Sequence, residues 1–417
     1  MRMIRRFVQS VTVLTLAACL WAALSPGAAL RAKAADGGSF SEVLREAGGV
    51  ILQEAESTAE KVRESAMDPE GRDVIITASG KVLRRTDGKW VVPEEKPSSE
   101  DEITLVFTGD IIFERGQNPW SSIAYNDGIE ACFDDETWST MQDADFLIVN
   151  NEFPYTERGS AIPGKKFTFR CPPWTAGWIK EMGADIAALA NNHINDFGPD
   201  GMEDTFDALD EEEIPYIGAG RDLEDAEQTA YCIANGMTTA ILNATEIERY
   251  ENPETRGATE DSPGVFRCLY MDRLCEKVRE AKEKADFCIV FIHWGTELMP
   301  AAEAGQVEKA QALVDAGADL IVGAHPHVLQ NIEYIDGVPV FYSLGNYFFS
   351  AGARDSGVLR ITLNCGDASI KKLQFIPMEQ YRGVSTLDGS EKERVLDQMR
   401  SVSPGVAIDE DGFFTED

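Results

Sequence analysis

Histidine is scarce in this 417-residue chain: there are four, His193, His293, His325 and His327. Basic residues are also in short supply, with 38 Lys and Arg against 72 Asp and Glu and a net charge of −34. No basic stripe exists to neutralise phosphates, which argues against nucleic acid as a partner. The acidity reads instead as a means of keeping a secreted protein soluble. Cysteine offers no framework either. Seven cysteines follow residue 34 (Cys132, Cys171, Cys232, Cys268, Cys275, Cys288 and Cys365), an odd number without C-x-x-C spacing. Cys232 and Cys288 lie in apolar strand patterns and read as small buried hydrophobes. Cys268 and Cys275 are near enough in sequence to pair, but nothing demands it.

Acidic residues are absent before Asp36, and that absence marks the N-terminus. Arg2, Arg5 and Arg6 precede an apolar run from Phe7 to Leu24, the pattern of a secretory signal peptide or a retained anchor over residues 1–34. Ala32-Lys33-Ala34 is an A-x-A cleavage site that would start the mature chain at Ala35 and take the net charge to −39. Leu16-Ala17-Ala18-Cys19 competes as a lipobox, although the apolar run continues past Cys19. All three readings predict an extracytoplasmic protein, secreted or anchored at the cell surface.

Residues 35–100 read as a small separate module: a helix to about Ala66, then strands between Asp73 and Val92 turning at Ser79-Gly80 and Asp87-Gly88. Glu94 to Asp101 is a polar linker. From Ile103, short apolar runs alternate with helical patterns, which predicts an α/β domain over 103–383. The runs are Ile103–Phe107, Phe146–Val149, Ile186–Ala190, Ile214–Ile217, Thr238–Leu242, Phe287–Ile292 and Leu320–Val322. Trp174–Met182, Gly201–Glu211, Leu274–Lys284 and Ala302–Ala316 are the helical patterns, and β-runs at Val340–Ser343, Val358–Leu363 and Lys372–Pro377 close the domain. Residues 384–417 are expected to be an acidic, loose tail with one helical pattern near Glu391–Arg400.

Every histidine falls at the end of one of these runs. Open α/β sheets bind ligands beyond the carboxyl ends of their strands. The wider stretch Ala318 to Gln330 carries two of them, His325 and His327, flanking Pro326. In an extended segment, side chains at i and i+2 point the same way, so both imidazoles would face one point. Carboxylates and amides recur at the other ends: Asp110, Glu152 and Asn192. One such residue is usually a cap or a turn. A set repeated at five strand ends points to divalent metal, one or two ions of Mn, Fe, Zn or Mg, with a bridging carboxylate where two are held.

The ordered motifs Thr108-Gly109-Asp110, Asn150-Asn151-Glu152, Asn191-Asn192-His193, His293-Trp294-Gly295, Gly323-Ala324-His325-Pro326-His327-Val328 and Tyr342-Ser343-Leu344-Gly345-Asn346 resemble the bacterial capsule synthesis (CapA) family, associated with poly-γ-glutamate capsules. Phe169-Arg170-Cys171-Pro172-Pro173 resembles a further segment of it. That family in turn resembles calcineurin-like metallophosphatases, which implies a four-layer α-β-β-α sandwich. The resemblance implies that Asp110 ligates a first metal and Glu152 bridges. It implies that Asn192, His293 and His325 hold a second metal, and that His327 returns to the first. His193 would be the acid or hydrogen-bond donor beside the substrate. Metallophosphatases place a His two residues after the first Asp; here that position is Ile112, and Glu152 replaces their usual Asp. Losing that imidazole weakens the first metal position and would fit a single tightly held ion.

On the substrate side, Arg170 offers a planar fork for a carboxylate or phosphate, or serves a structural ion pair. Asn346 either donates to substrate or shapes a turn. Trp294 reads as packing behind His293, and Tyr155 is open to either role. The resulting expectation is an extracytoplasmic, metal-dependent component of poly-γ-glutamate-type polymer synthesis or export. Its partners would be an anionic polymer, or a phosphorylated or carboxylated substrate, and a membrane-bound synthesis complex. The alternatives are a secreted metal-dependent phosphoesterase or other hydrolase, and a non-catalytic scaffold retaining the metal site, since fold alone does not give activity.

Overall fold

Two parallel runs of short, buried strands meet with their carboxyl ends on the same side of the molecule. The computed structural model describes residues 74–76, 82–85, 90–93, 99–126, 128–247, 256–349 and 352–417. The signal or anchor segment, the A-x-A site, Cys19 and the helix to Ala66 lie outside them. No helix among the described residues is long and apolar enough to cross a membrane.

The first sheet runs Val384–Thr386, Ser369–Gln380, Arg354–Asn364, Glu102–Ile111, Phe146–Asn151, Ile186–Ala188, Tyr216–Ile217, with Asn346–Phe348 beside the end of Glu102–Ile111. Its last four strands are mutually parallel. In the second sheet, Met237–Thr245, Phe287–His293, Leu320–Ala324 and Val338–Phe341 are parallel neighbours. Phe146–Asn151 and Phe287–His293 are buried along their whole length, as expected for parallel strands covered on both faces.

One core fills the space between the sheets, where Phe107 of the first meets Phe291 of the second edge-on at 5.4 Å. A second core lies under the helices Asp272–Lys282 and Ala304–Ala316 on the far face of the second sheet. Helices Ala176–Glu181 and Gly198–Glu211 pack on the first sheet through Ile179, Met202, Phe206 and Leu209. The result is the α-β-β-α sandwich.

Two expectations change. The hairpin read as part of a separate module belongs to the main unit, residues 76–417. Trp90–Pro93 pairs in parallel with Ala230–Ala234 and buries Val92, closing an edge that would otherwise stay open. Nor is the C-terminus a loose tail. Gly389–Val402 is a helix burying Val395, Leu396 and Met399. Val406–Ile408 then pairs with Phe414–Glu416. Phe375 donates from its backbone to Gly412 at 2.9 Å, and Phe414 packs on Phe341. Buried apolar side chains, Val406 and Ile408 among them, hold the acidic segment down.

None of the described cysteines is joined in a disulfide, Cys268 and Cys275 included. Gly323, in the strand Leu320–Ala324 just before the histidine turn, has a packing role. A Cβ there would lie 1.9 Å from the Tyr342 carbonyl oxygen and 2.5 Å from Trp294 Nε1. Gly323→Ala is therefore expected to cost about 1–3 kcal/mol, as overpacking does, read as a lower denaturation midpoint with an unchanged m-value.

Candidate metal centre

Register brings the strand ends together. Asp110 pairs across the first sheet with Asn150 on one side and Asn346 on the other. Gly109 makes this possible: a Cβ there would sit 2.0 Å from the Gly345 carbonyl oxygen, the group that accepts from Asp110 N at 2.9 Å. Asn150 Nδ2 donates to Asp110 Oδ1 at 2.6 Å and lies 3.4 Å from His293 Nδ1, so it spans the two sheets. Asn243 fixes the Asn192 loop by accepting from Ala190 N at 2.7 Å and donating to Phe291 O at 2.9 Å.

His293 Nε2 faces Asn192 Oδ1 at 2.8 Å, His325 Nδ1 at 3.1 Å and Glu152 Oε1 at 3.4 Å. One N–H serves at most one of these, so the rest is a convergence of lone pairs. His327 Nδ1 bonds Asn346 Oδ1 at 2.8 Å and stands 3.0 Å from Asp110 Oδ2. Both oxygens of Glu152 and Asp110 Oδ2 are buried without a hydrogen-bond partner. One ligand atom each from Glu152, His325 and His327 lies within 4.8 Å of the others.

Electrostatics follow from this enclosure. Burial, helped by the Asp110 charge, pushes the Glu152 carboxyl well above its ordinary range. Burial lowers His293 to about 3 and holds His325 well below the usual imidazole value. For His327 burial acts downward too, but Glu152 and Asp110 outweigh it and raise the group to about 9. Asp110 is lowered because His327 overcomes its burial. Buried oxygens without donors, neutral imidazoles and an amide oxygen make a set that fits a divalent cation.

The convergence of His325 and His327 does not come from extended backbone. Their φ angles are +97° and +60°, both in the left-handed region. Non-glycine residues rarely adopt it, and such strain gathers at functional sites. The two imidazoles converge through left-handed turns rather than through the alternation of an extended strand.

His193 sits beside the six ligand candidates, its Nδ1 2.8 Å from Asp196 Oδ2 and its ring 4.5 Å from Phe169. Burial lowers its pKa. Ile112 is fully buried in the apolar core. Arg170 lies over the Phe197 ring at 4.3 Å. Asn346 is fully buried and holds His327. Trp294 is core, donating to Tyr342 O at 2.9 Å; Tyr155 is buried with its hydroxyl unpartnered. Sequence reasoning passed over Asn150, Lys165 and Asp196. Asn150 stood inside a quoted motif; Lys165 and Asp196 pair across 31 residues, a separation that leaves no local signal.

Residues 104–351, more than half of the chain, match the family described as bacterial capsule synthesis protein PGA_cap. The chain belongs to that family. Relatives of the PGA_cap protein include the PGA biosynthesis protein CapA of Bacillus subtilis (strain 168), 32% identical over 66% of this chain and 72% of that one. The capsule biosynthesis protein CapA of Bacillus anthracis is 30% identical over 78% of this chain and 79% of its own length. Among solved structures, a phosphatase of Mycoplasma pneumoniae aligns with 67% of this chain and 94% of its own, at TM-score 0.43 and 14% identity. A 5'-nucleotidase from Candida albicans aligns with 68% of this chain and 53% of its own, at TM-score 0.38 and 12% identity. Likeness at that level carries no argument about activity.

Proposed function

We propose that this PGA_cap protein is an extracytoplasmic, metal-dependent component in the synthesis or export of a poly-γ-glutamate-type capsular polymer. Similarity over most of their length to relatives named for PGA and capsule biosynthesis carries the polymer assignment. The buried oxygens of Asp110 and Glu152 support the metal dependence. Asp110, Glu152, Asn192, His293, His325 and His327 would hold the ion or ions. A divalent ion there supplies Lewis-acid polarisation of a substrate oxygen. His193, with Nδ1 committed to Asp196, keeps Nε2 for proton transfer or donation to substrate. Arg170 presents a planar donor fork suited to a carboxylate or phosphate, and Asn346 steadies His327 and is a candidate substrate donor. The net charge of −34 repels a polyanion, so polymer contact would be local, through Arg170 and the metal. The apolar run Phe7–Leu24 is consistent with delivery to a membrane-bound synthesis complex. Deleting the gene is expected to abolish surface polyglutamate, with restoration by the wild-type copy but not by His193→Ala. Unchanged polymer in the deletion strain would reject this reading.

The His193–Asp196 pair beside the cluster favours a second reading, a metal-dependent phosphoesterase or other hydrolase. Lack of turnover of phosphoesters and amides with Mn, Zn, Fe or Mg added would count against it.

A further inference from the structure

Lys165 is a buried cation next to the centre. It lies within the segment 157–169, much of it exposed, yet its own side chain is only 3% exposed. Its Nζ donates to the Asn192 backbone carbonyl and to Asp196 Oδ1, the latter at 2.6 Å. Asp196 is fully buried, and its Oδ2 accepts from Phe169 N at 2.7 Å and lies 2.8 Å from His193 Nδ1. The Asp196 carbonyl also accepts from Ile162 N at 3.0 Å. One ammonium thus ties together the residue carrying the Asn192 amide ligand, the carboxylate that orients His193, and the loop that crosses them.

We propose that Lys165 is a positioning residue that sets Asn192 for the metal and, through Asp196, sets His193 for the substrate. The inference rests on the metal-dependent reading only for its Asn192 half. Lysine suits the position because three donors on one small head reach two acceptors that diverge. Partners that orient ligands from behind change metal affinity about 10–100-fold when removed.

The test uses full-length protein without added histidines, as wild type, Lys165→Met and Lys165→Met/Asp196→Asn. The double variant leaves no unpaired buried carboxylate, and the asparagine keeps an acceptor for Phe169 N. Two readouts are taken on folded protein: Zn²⁺ affinity by competition with a chelating dye, and long-range ¹H–¹⁵N imidazole spectra of the zinc-free protein, simple to assign with four histidines. Expected are about tenfold weaker Zn²⁺ binding and a move of the His193 nitrogens away from a single Nδ1–H tautomer, in both variants. Wild-type imidazole shifts for His193 in folded Lys165→Met would overturn the proposal, the double variant showing the shifts that follow when the Asp196 carboxylate itself is lost. Wild type that takes up no Zn²⁺ would reject the metal reading, and the His193 spectrum alone would then decide whether Lys165 positions that ring.

Discussion

Full-length protein carrying Asp110→Ala together with His325→Ala is expected to come through purification without divalent metal, while wild type holds one or two ions per chain by mass spectrometry. The two positions sit on different sheets, at the ends of Glu102–Ile111 and Leu320–Ala324. Removing both leaves neither half of the ligand set complete. The same variant should lose its thermal response to metal. For wild type, an ion at 1,000 times its dissociation constant stabilises by about 4 kcal/mol through linkage. Chelation should therefore lower the wild-type melting temperature and leave the variant's unchanged. Stoichiometry carries its own information. A single ion would fit the apolar, fully buried Ile112 two residues after Asp110, which adds no ligand on that side. Wild type that is folded, arrives empty and stays empty with Mn, Zn, Fe or Mg added would end the metal reading and leave the scaffold.

Strand ends were the legible part of this chain. Period and apolar runs placed the central strands within a few residues, because parallel strands buried on both faces are written as unbroken Val, Ile, Phe and Leu. Four histidines, all at such ends, then pointed to one centre. The rest was decided by contacts that sequence does not encode locally. The pairing of Trp90–Pro93 with Ala230–Ala234 joins residues about 140 positions apart, so the hairpin looked like a module of its own. Charge disguised the C-terminal segment: its acidic residues face solvent while Val395, Leu396, Met399 and Phe414 supply the anchoring. At the centre, side-chain alternation anticipated that His325 and His327 converge but not the left-handed backbone that makes them do so. Lys165 was invisible for a related reason. In an exposed, charged stretch a lysine reads as solvated surface, and only the folded loop turns its side chain inward to Asp196.

Glu152→Gln is expected to change sign with metal. Glutamine has the shape of glutamate without the charge. In wild type, both Glu152 oxygens are buried without a donor, and the carboxyl is pushed well above its ordinary range by burial and by Asp110. With metal stripped, folding the wild-type chain at neutral pH means either burying that charge or taking up a proton, and each is unfavourable. Glutamine avoids both at the smaller cost of a buried amide, so the stripped variant should be more stable than stripped wild type by about 1–3 kcal/mol. With metal saturating, the order reverses. The carboxylate would then offer the cation a counter-charge, and wild type gains binding free energy that a neutral amide oxygen cannot match. Denaturant midpoints of the two proteins, each measured in chelator and in excess metal, should therefore cross. If glutamine were destabilising in both conditions, the buried oxygens would have to be satisfied within the protein itself. Glu152 would then be a packed structural residue rather than a ligand awaiting its ion.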